Sequence, residues 1–225
     1  AYSFNQTSGF SVLAYTGNAT AGAGLPHGLG ATPTMIITKN LQTTDSWMVY
    51  HKYLHATPED YACQLDTTGA AADNITNWND TTPDSVNITF GDGGGTNSAN
   101  TFVAYAFTDV QGYSKFGGYE GNGNVDSPFL YTGFRPAYIL IKRTDTTGSW
   151  WLFDDKRLGY NPNTYRLYAN DTAADNTDQM IDFVSNGFKL RTTDSEMNAS
   201  GGDFVYAAFA QSPFVNSSGV AGNAR

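Results

Sequence analysis

Apolar residues in this chain come in short runs, many alternating with polar ones, and each run is closed by Gly, Asn, Asp, Thr or Pro. The runs include PTMIITKN at 33–40, WMVY at 47–50, FVAYAF at 102–107, PAYILIKR at 136–143 and FVYAAFA at 204–210. Period-two alternation places successive side chains on opposite faces of a strand, so the pattern predicts β-structure throughout. The turn residues between the runs supply the backbone conformations that hairpins need. Helix is scarce. The best helical candidate is 51–60, and Pro58 limits it because proline removes a backbone donor and clashes with the preceding turn.

The runs repeat. Gly30, Pro33, Lys39 and Ser46-Trp47 reappear 103 positions later as Gly133, Pro136, Lys142 and Ser149-Trp150. Asp73-Asn74 is echoed by Asp175-Asn176, Ile88 and Phe90 by Phe188 and Leu190, and Phe102-Val103 and Phe107 by Phe204-Val205 and Phe209. Upstream, Tyr15, Gly17 and Asn18 return as Tyr119, Gly121 and Asn122. The order is kept and the offset stays between 100 and 104, which reads as an internal duplication. A period this long is outside the 20–50 residues of solenoid units.

Each copy predicts the same plan. A first strand ends in Tyr-x-Gly-Asn (12–18, 118–122). The proline-led strand follows, then a Thr/Asp/Gly turn and an aromatic strand (47–53, 150–153). Next come a short strand (61–65, 165–169), a long polar crossing, a strand near 86–90 or 188–191, and a last strand (102–108, 204–210). Short strands at roughly 8–12-residue spacing point to sandwiches or small barrels. The fold class is all-β: two tandem, internally duplicated antiparallel β-sandwich or jelly-roll-like modules, 1–116 and 117–225. With no Pro/Ser-rich linker between them, they are expected to be packed together.

Composition sharpens this picture. Charged residues are only 15% of 225, aromatics are 14%, and Gly reaches 24. Thr, Tyr and Phe suit strands, and Gly, Asn and Asp suit turns. The formal net charge of −9 repels phosphate backbones and anionic bilayers, so neither nucleic acid nor membrane is an expected partner. No apolar run approaches the ~18 residues of a membrane helix. One cysteine, Cys63, allows no intrachain disulfide and favours assembly in a reducing cytoplasm. No signal peptide is visible. The chain opens at Ala1 and not at Met, as a processed product or a piece of a longer protein would.

Candidate chemistry is thin. His51 and His55, with Glu59 four further on, would share a helix face as metal ligands do, but as strand residues they lie on the surface, and no such pair recurs in the second copy. Asp154-Asp155 is the one adjacent aspartate pair. Glycosidase carboxylates stand about 5–10 Å apart across a cleft, whereas strand neighbours point to opposite faces, so both acids read as solvated. Gly91–Asn97 lacks calcium-loop spacing and reads as a glycine-rich hairpin tip. Cys63 reads as a small buried hydrophobe, with His27 the nearest thing to a partner. Eight Asn-x-Ser/Thr triplets begin at Asn5, Asn18, Asn74, Asn79, Asn87, Asn170, Asn198 and Asn216, and a composition rich in Asn and Thr makes them mostly accidental. Trp47, Trp78, Trp150 and Trp151 could form sugar-stacking platforms. Trp47 and Trp150 are repeat-equivalent, which assigns them to a shared core position. Trp78 sits in a polar stretch without an aromatic counterpart, and is the best single candidate for a contact surface. No catalytic, cofactor-binding or metal-binding residue is assigned.

The strings GFSVLAYTGN, GLGATPTMIITKN, PAYILIKRTDTTGSW, NGFKLRTTDSEMNASGGDFVYAAFA and the terminal AR carry a resemblance over almost the whole chain. They resemble a duplicated β-rich module of tailed-bacteriophage virion proteins, often marine, known as tail-fibre, minor structural or uncharacterised proteins. The resemblance implies no catalytic residues. It implies a non-enzymatic virion component (tail fibre, appendage or head decoration), assembled in the host cytoplasm, with other virion proteins as partners. A homo-oligomer is expected, with a trimer favoured because fibres are commonly trimeric. Host-surface glycan is a further partner. The alternatives are a carbohydrate-binding receptor module or a subunit of a glycosylated extracellular filament. A glycan depolymerase ranks last, for want of paired carboxylates.

Overall fold

The computed structural model describes residues 2–158, 160–175 and 180–211. Within them are seventeen strands, two one-turn helices and a single 3-10 turn, and every strand pairing is antiparallel. The fold is all-β. The chain divides into two compact units, Ala1–Asp109 and Val110–Arg225. The division precedes Phe116 because Ser114–Phe116 already pair with Ala207–Phe209 in the second unit's sheet.

The first unit holds β1 (Tyr2–Asn5), β2 (Phe10–Thr16), β3 (Ala23–Pro26), β4 (Met35–Asn40), β5 (Met48–His51), β6 (Tyr61–Gln64), β7 (Ala72–Asp73), β8 (Asn87–Phe90) and β9 (Thr101–Phe107). Its large sheet runs β1-β2-β9-β4-β5-β6-β7, and β3 pairs with β8 in a separate ribbon. The inward faces meet in a core. Leu13, Ile36, Tyr50, Ala62, Ala104 and Ala106 come from the sheet, Ile88 and Phe90 from the ribbon, and Trp78 from the helix α1 (Ile75–Trp78). The two alanines on the central strand leave room for the Tyr50, Trp78 and Phe90 rings. Burying each of Ile36, Ile88 and Phe90 contributes roughly 1.5–3 kcal/mol.

The second unit holds β10 (Ser114–Glu120), β11 (Phe129–Tyr131), β12 (Pro136–Arg143), β13 (Trp150–Asp154), β14 (Leu167–Tyr168), β15 (Ile181–Val184), β16 (Gly187–Leu190) and β17 (Asp203–Ala210). Its sheets are β10-β17-β12-β13-β14 and β11-β16-β15. Ile139, Ile141, Trp151, Phe153, Phe188 and Tyr206 are among its core residues, with Met197 of α2 (Ser195–Asn198).

Strands matched by the sequence offset occupy matching places. In the first unit β9 lies between β2 and β4, and in the second β17 lies between β10 and β12. Ile36 faces Ala106 and Tyr50, and Ile139 faces Ala208 and Phe153. The units also differ: β1 and β7 extend only the first large sheet, and β15 only the second small one.

The structure corrects the helix expectation. Residues 51–60 finish β5, bend, and close with the 3-10 turn Pro58–Asp60. Proline opens that turn but cannot extend an α-helix behind itself. The helices form where a side chain caps them. Asn74 accepts the Thr76 N–H ahead of α1, and Asp194 accepts the Glu196 N–H ahead of α2. Among the described residues no helix is long and apolar enough to cross a membrane.

Candidate functional site

Tyr-x-Gly-Asn, the motif repeated in the sequence, is a clasp in each unit. In the first, Tyr15 Oη donates to Thr96 O at 2.5 Å, and the Asn18 N–H donates to Asn97 Oδ1 at 3.1 Å. Asn97 Nδ2 returns bonds to Asn18 Oδ1, Thr20 O and Gly91 O. In the second, Tyr119 Oη donates to Met197 O at 2.8 Å, and the Asn122 N–H donates to Asn198 Oδ1 at 2.9 Å. Asn198 Nδ2 reaches Asn122 Oδ1, Asn124 O and Thr192 O. The glycine is required by contact. A Cβ on Gly17 would stand 2.0 Å from Ser98 O, and one on Gly121 would stand 2.2 Å from Ala199 O. Burial pushes both phenols up, because the anion would lose its water. The clasp binds chain to chain.

The residues singled out by sequence are dispersed. His51 is buried on β5, where its Nδ1 accepts the Tyr53 N–H. His55 is exposed in the following loop and stacks on Tyr61, with ring centroids 3.9 Å apart. Neither belongs to a metal-binding group, and among the described residues no three His, Cys, Asp or Glu side chains converge as ligands.

Asp154 and Asp155 are not both solvated. Burial raises the Asp154 pKa, but N–H groups of Arg157 and Lys156 and the Arg157 guanidinium outweigh it and hold the carboxyl below its usual range. Asp155 is buried, with the Lys156 ammonium 3.4 Å away. The two carboxylates serve separate local structures. Gly91–Asn97 is not a hairpin tip either, since it carries the chain from β8 in the ribbon to β9 in the large sheet. Gly91 and Gly93 sit so close to the end of α1 that a Cβ would come within 2.4 and 2.6 Å of Thr76 O.

Cys63 is buried in β6 opposite Val49. His27 is buried too, accepting the Leu29 N–H at Nδ1 and donating from Nε2 to Asp84 O. Asn198, one of the eight triplet asparagines, is 0% exposed and cannot accept a glycan in the folded chain. Asn216 and Asn176 lie outside the described residues. Trp47 is half-buried, whereas Trp150 and Trp151 are buried, and Trp151 Nε1 donates to Glu196 Oε2 at 3.0 Å.

Trp78 is the main correction. It is 0% exposed, 5.8 Å from the Tyr50 ring and 6.0 Å from Phe90. Its polar neighbours in sequence misled: Asn74 and Asn79 cap the two ends of α1, and the single turn points the indole into the core. It offers no contact surface.

The exposed aromatics lie elsewhere. Tyr2 and Phe4, on β1, are 61% and 47% exposed and stack on each other at 5.6 Å. Beside them is a groove of about 510 Å³, lined by Tyr2, Leu13, Tyr15, Leu25, Pro26 and Thr101 among others. Among the described residues its lining contains no carboxylate, imidazole or cationic side chain. Sequence reasoning missed it because β1 is a four-residue strand whose alternation, YSFN, is too short to register. A second, shallower depression in the other unit is lined by Val125, Pro162 and the Asp182–Arg191 ion pair.

Residues 1–213 match the family model of a domain of unknown function, DUF7483, and the chain belongs to that family. No match is found among curated proteins or among solved structures.

Proposed function

We propose that this chain is a non-enzymatic structural protein of a bacteriophage virion. It serves as a tail fibre, appendage or head decoration, assembles as a homo-oligomer, and meets both other virion proteins and the host surface. The observation that carries the reading is the division of labour among its polar and aromatic residues. The asparagines and tyrosines that recur in both halves are engaged in part-buried internal clasps, while large aromatics stand exposed on the strands β1 and β11. Such a chain resists unfolding from within and meets partners through uncharged surface. The sequence resemblance to phage virion modules supports the same reading.

The matched strand orders and matched clasps further support a duplication. Two copies of one module place two similar faces on one chain, suited to repeated neighbours in a lattice or stalk. Light scattering on the purified chain is expected to give a trimer, and antibodies against it are expected to decorate phage particles. A monomer absent from purified particles overturns the proposal.

A further inference from the structure

We propose that the groove beside β1 is a binding site for an uncharged oligosaccharide, with a sugar ring stacked on Tyr2. The inference rests on the host-attachment half of the function proposed above, and it names the site and the ligand class.

Three observations lead to it. Tyr2 is the most exposed ring on β1, and Phe4 backs it as a second plate at 5.6 Å and 23°. Phe4 is itself held down: its ring covers Gly28, where a Cβ would come within 2.7 Å, so the platform has a firm base. The groove next to Tyr2 is of the size that takes a small ligand.

The chemistry of the lining selects among ligands. Leu25 and Pro26 supply apolar surface for the C–H face of a sugar, and the Tyr2 and Thr101 hydroxyls can exchange hydrogen bonds with its hydroxyl groups. Among the described residues no side chain in the lining can neutralise a charge, and the chain carries a net −9. A phosphorylated, sulfated or uronic polymer would therefore meet repulsion without compensation. Tyr15 closes the floor, its hydroxyl already donated to Thr96 O.

Affinity electrophoresis tests this with neutral polysaccharides (dextran, laminarin, xyloglucan and mannan) and anionic alginate as counter-probe. At least one neutral gel is expected to retard the chain. Tyr2→Ala and the groove-filling Thr101→Trp should weaken retardation by about tenfold, the loss common to a central aromatic contact. Tyr53→Ala removes an exposed ring outside the groove and should bind normally. Tyr2 and Thr101 are both exposed, and circular dichroism melts are expected to stay unchanged. Retardation by none of the neutral polymers, by alginate alone, or equally in Tyr2→Ala overturns the proposal. So does loss of self-association in Tyr2→Ala without sugar binding, which would make a second copy of the chain the occupant. Labelling of particles by antibody reads the virion role separately, so a chain present on particles that binds no sugar sinks this inference alone.

Discussion

Asn198 grips Asn122 from 76 residues away through both of its amide atoms: Oδ1 accepts the Asn122 N–H and Nδ2 donates to Asn122 Oδ1. Asn97 grips Asn18 in the same manner in the other unit. A buried amide with its oxygen and its nitrogen both engaged fixes the local arrangement of the segments it joins, because any slip strands polar atoms away from water.

Replacing that amide is therefore costly. Asn198→Ala leaves Asn122 N–H, Asn124 O and Thr192 O short of a partner, and is expected to lower stability by about 2–4 kcal/mol. Asn198→Asp should be worse, since it turns a carboxylate oxygen toward carbonyl oxygens. Urea titration reads both, and an Asp variant as stable as the parent would contradict the hydrogen-bond assignment.

Gly121→Ala and Gly17→Ala bring a methyl into a backbone carbonyl at 2.2 and 2.0 Å. Each is expected to destabilise its own unit by about 2 kcal/mol or more, because a backbone atom cannot give way as a flexible side chain can. Gly201→Ala tests a different cause. It meets open space but holds φ +71°, so its cost should be conformational and smaller, of the order of 1 kcal/mol. Thermal melts of the three variants should rank in that order.

Trp78 fills the first core while its indole Nε1 finds no hydrogen-bond partner among the described residues. Trp78→Ala should cost about 3–5 kcal/mol through the cavity it opens. Trp78→Phe keeps most of the ring and removes the unsatisfied donor, which offsets part of the lost volume, so its cost should stay below about 2 kcal/mol. Denaturant midpoints of the pair separate packing from polarity.

His27 gives the first unit an acid limit. Its neutral Nε2–H tautomer is held by Leu29 N–H at Nδ1 and by Asp84 O at Nε2. Burial lowers the pKa below 6.5, opposed by the bond to Asp84 O and by the Asp84 charge. The folded chain thus binds a proton less readily than the unfolded chain. The neutral imidazole's contribution is complete above pH 6.5. It declines as the pH falls below that value and levels off beneath the folded pKa. His27→Gln should flatten this segment of the stability–pH curve, and an unchanged slope would place the acid sensitivity elsewhere.

Sequence alone determined the β-class and most strand positions. Period-two alternation and turn residues are local signals, so β4 and β12 could be read directly from PTMIITKN and PAYILIKR. It also located the Tyr-x-Gly-Asn recurrence, though not its purpose. That purpose depends on Asn97 and Asn198, which meet the motif from 79 and 76 residues away. Short elements escaped as well. The strands β1, β3, β7, β11 and β15 span two to four residues each and lie outside the repeated plan. Trp78 and Tyr2 mark the limit most plainly. A tryptophan among asparagines went to the core and a tyrosine at a strand end stayed in water, because burial is decided by which face a turn or strand presents to distant chain. Only the tertiary structure fixes that, since the hydrophobic effect acts on the surface a side chain can hide and carries no record of its sequence neighbours.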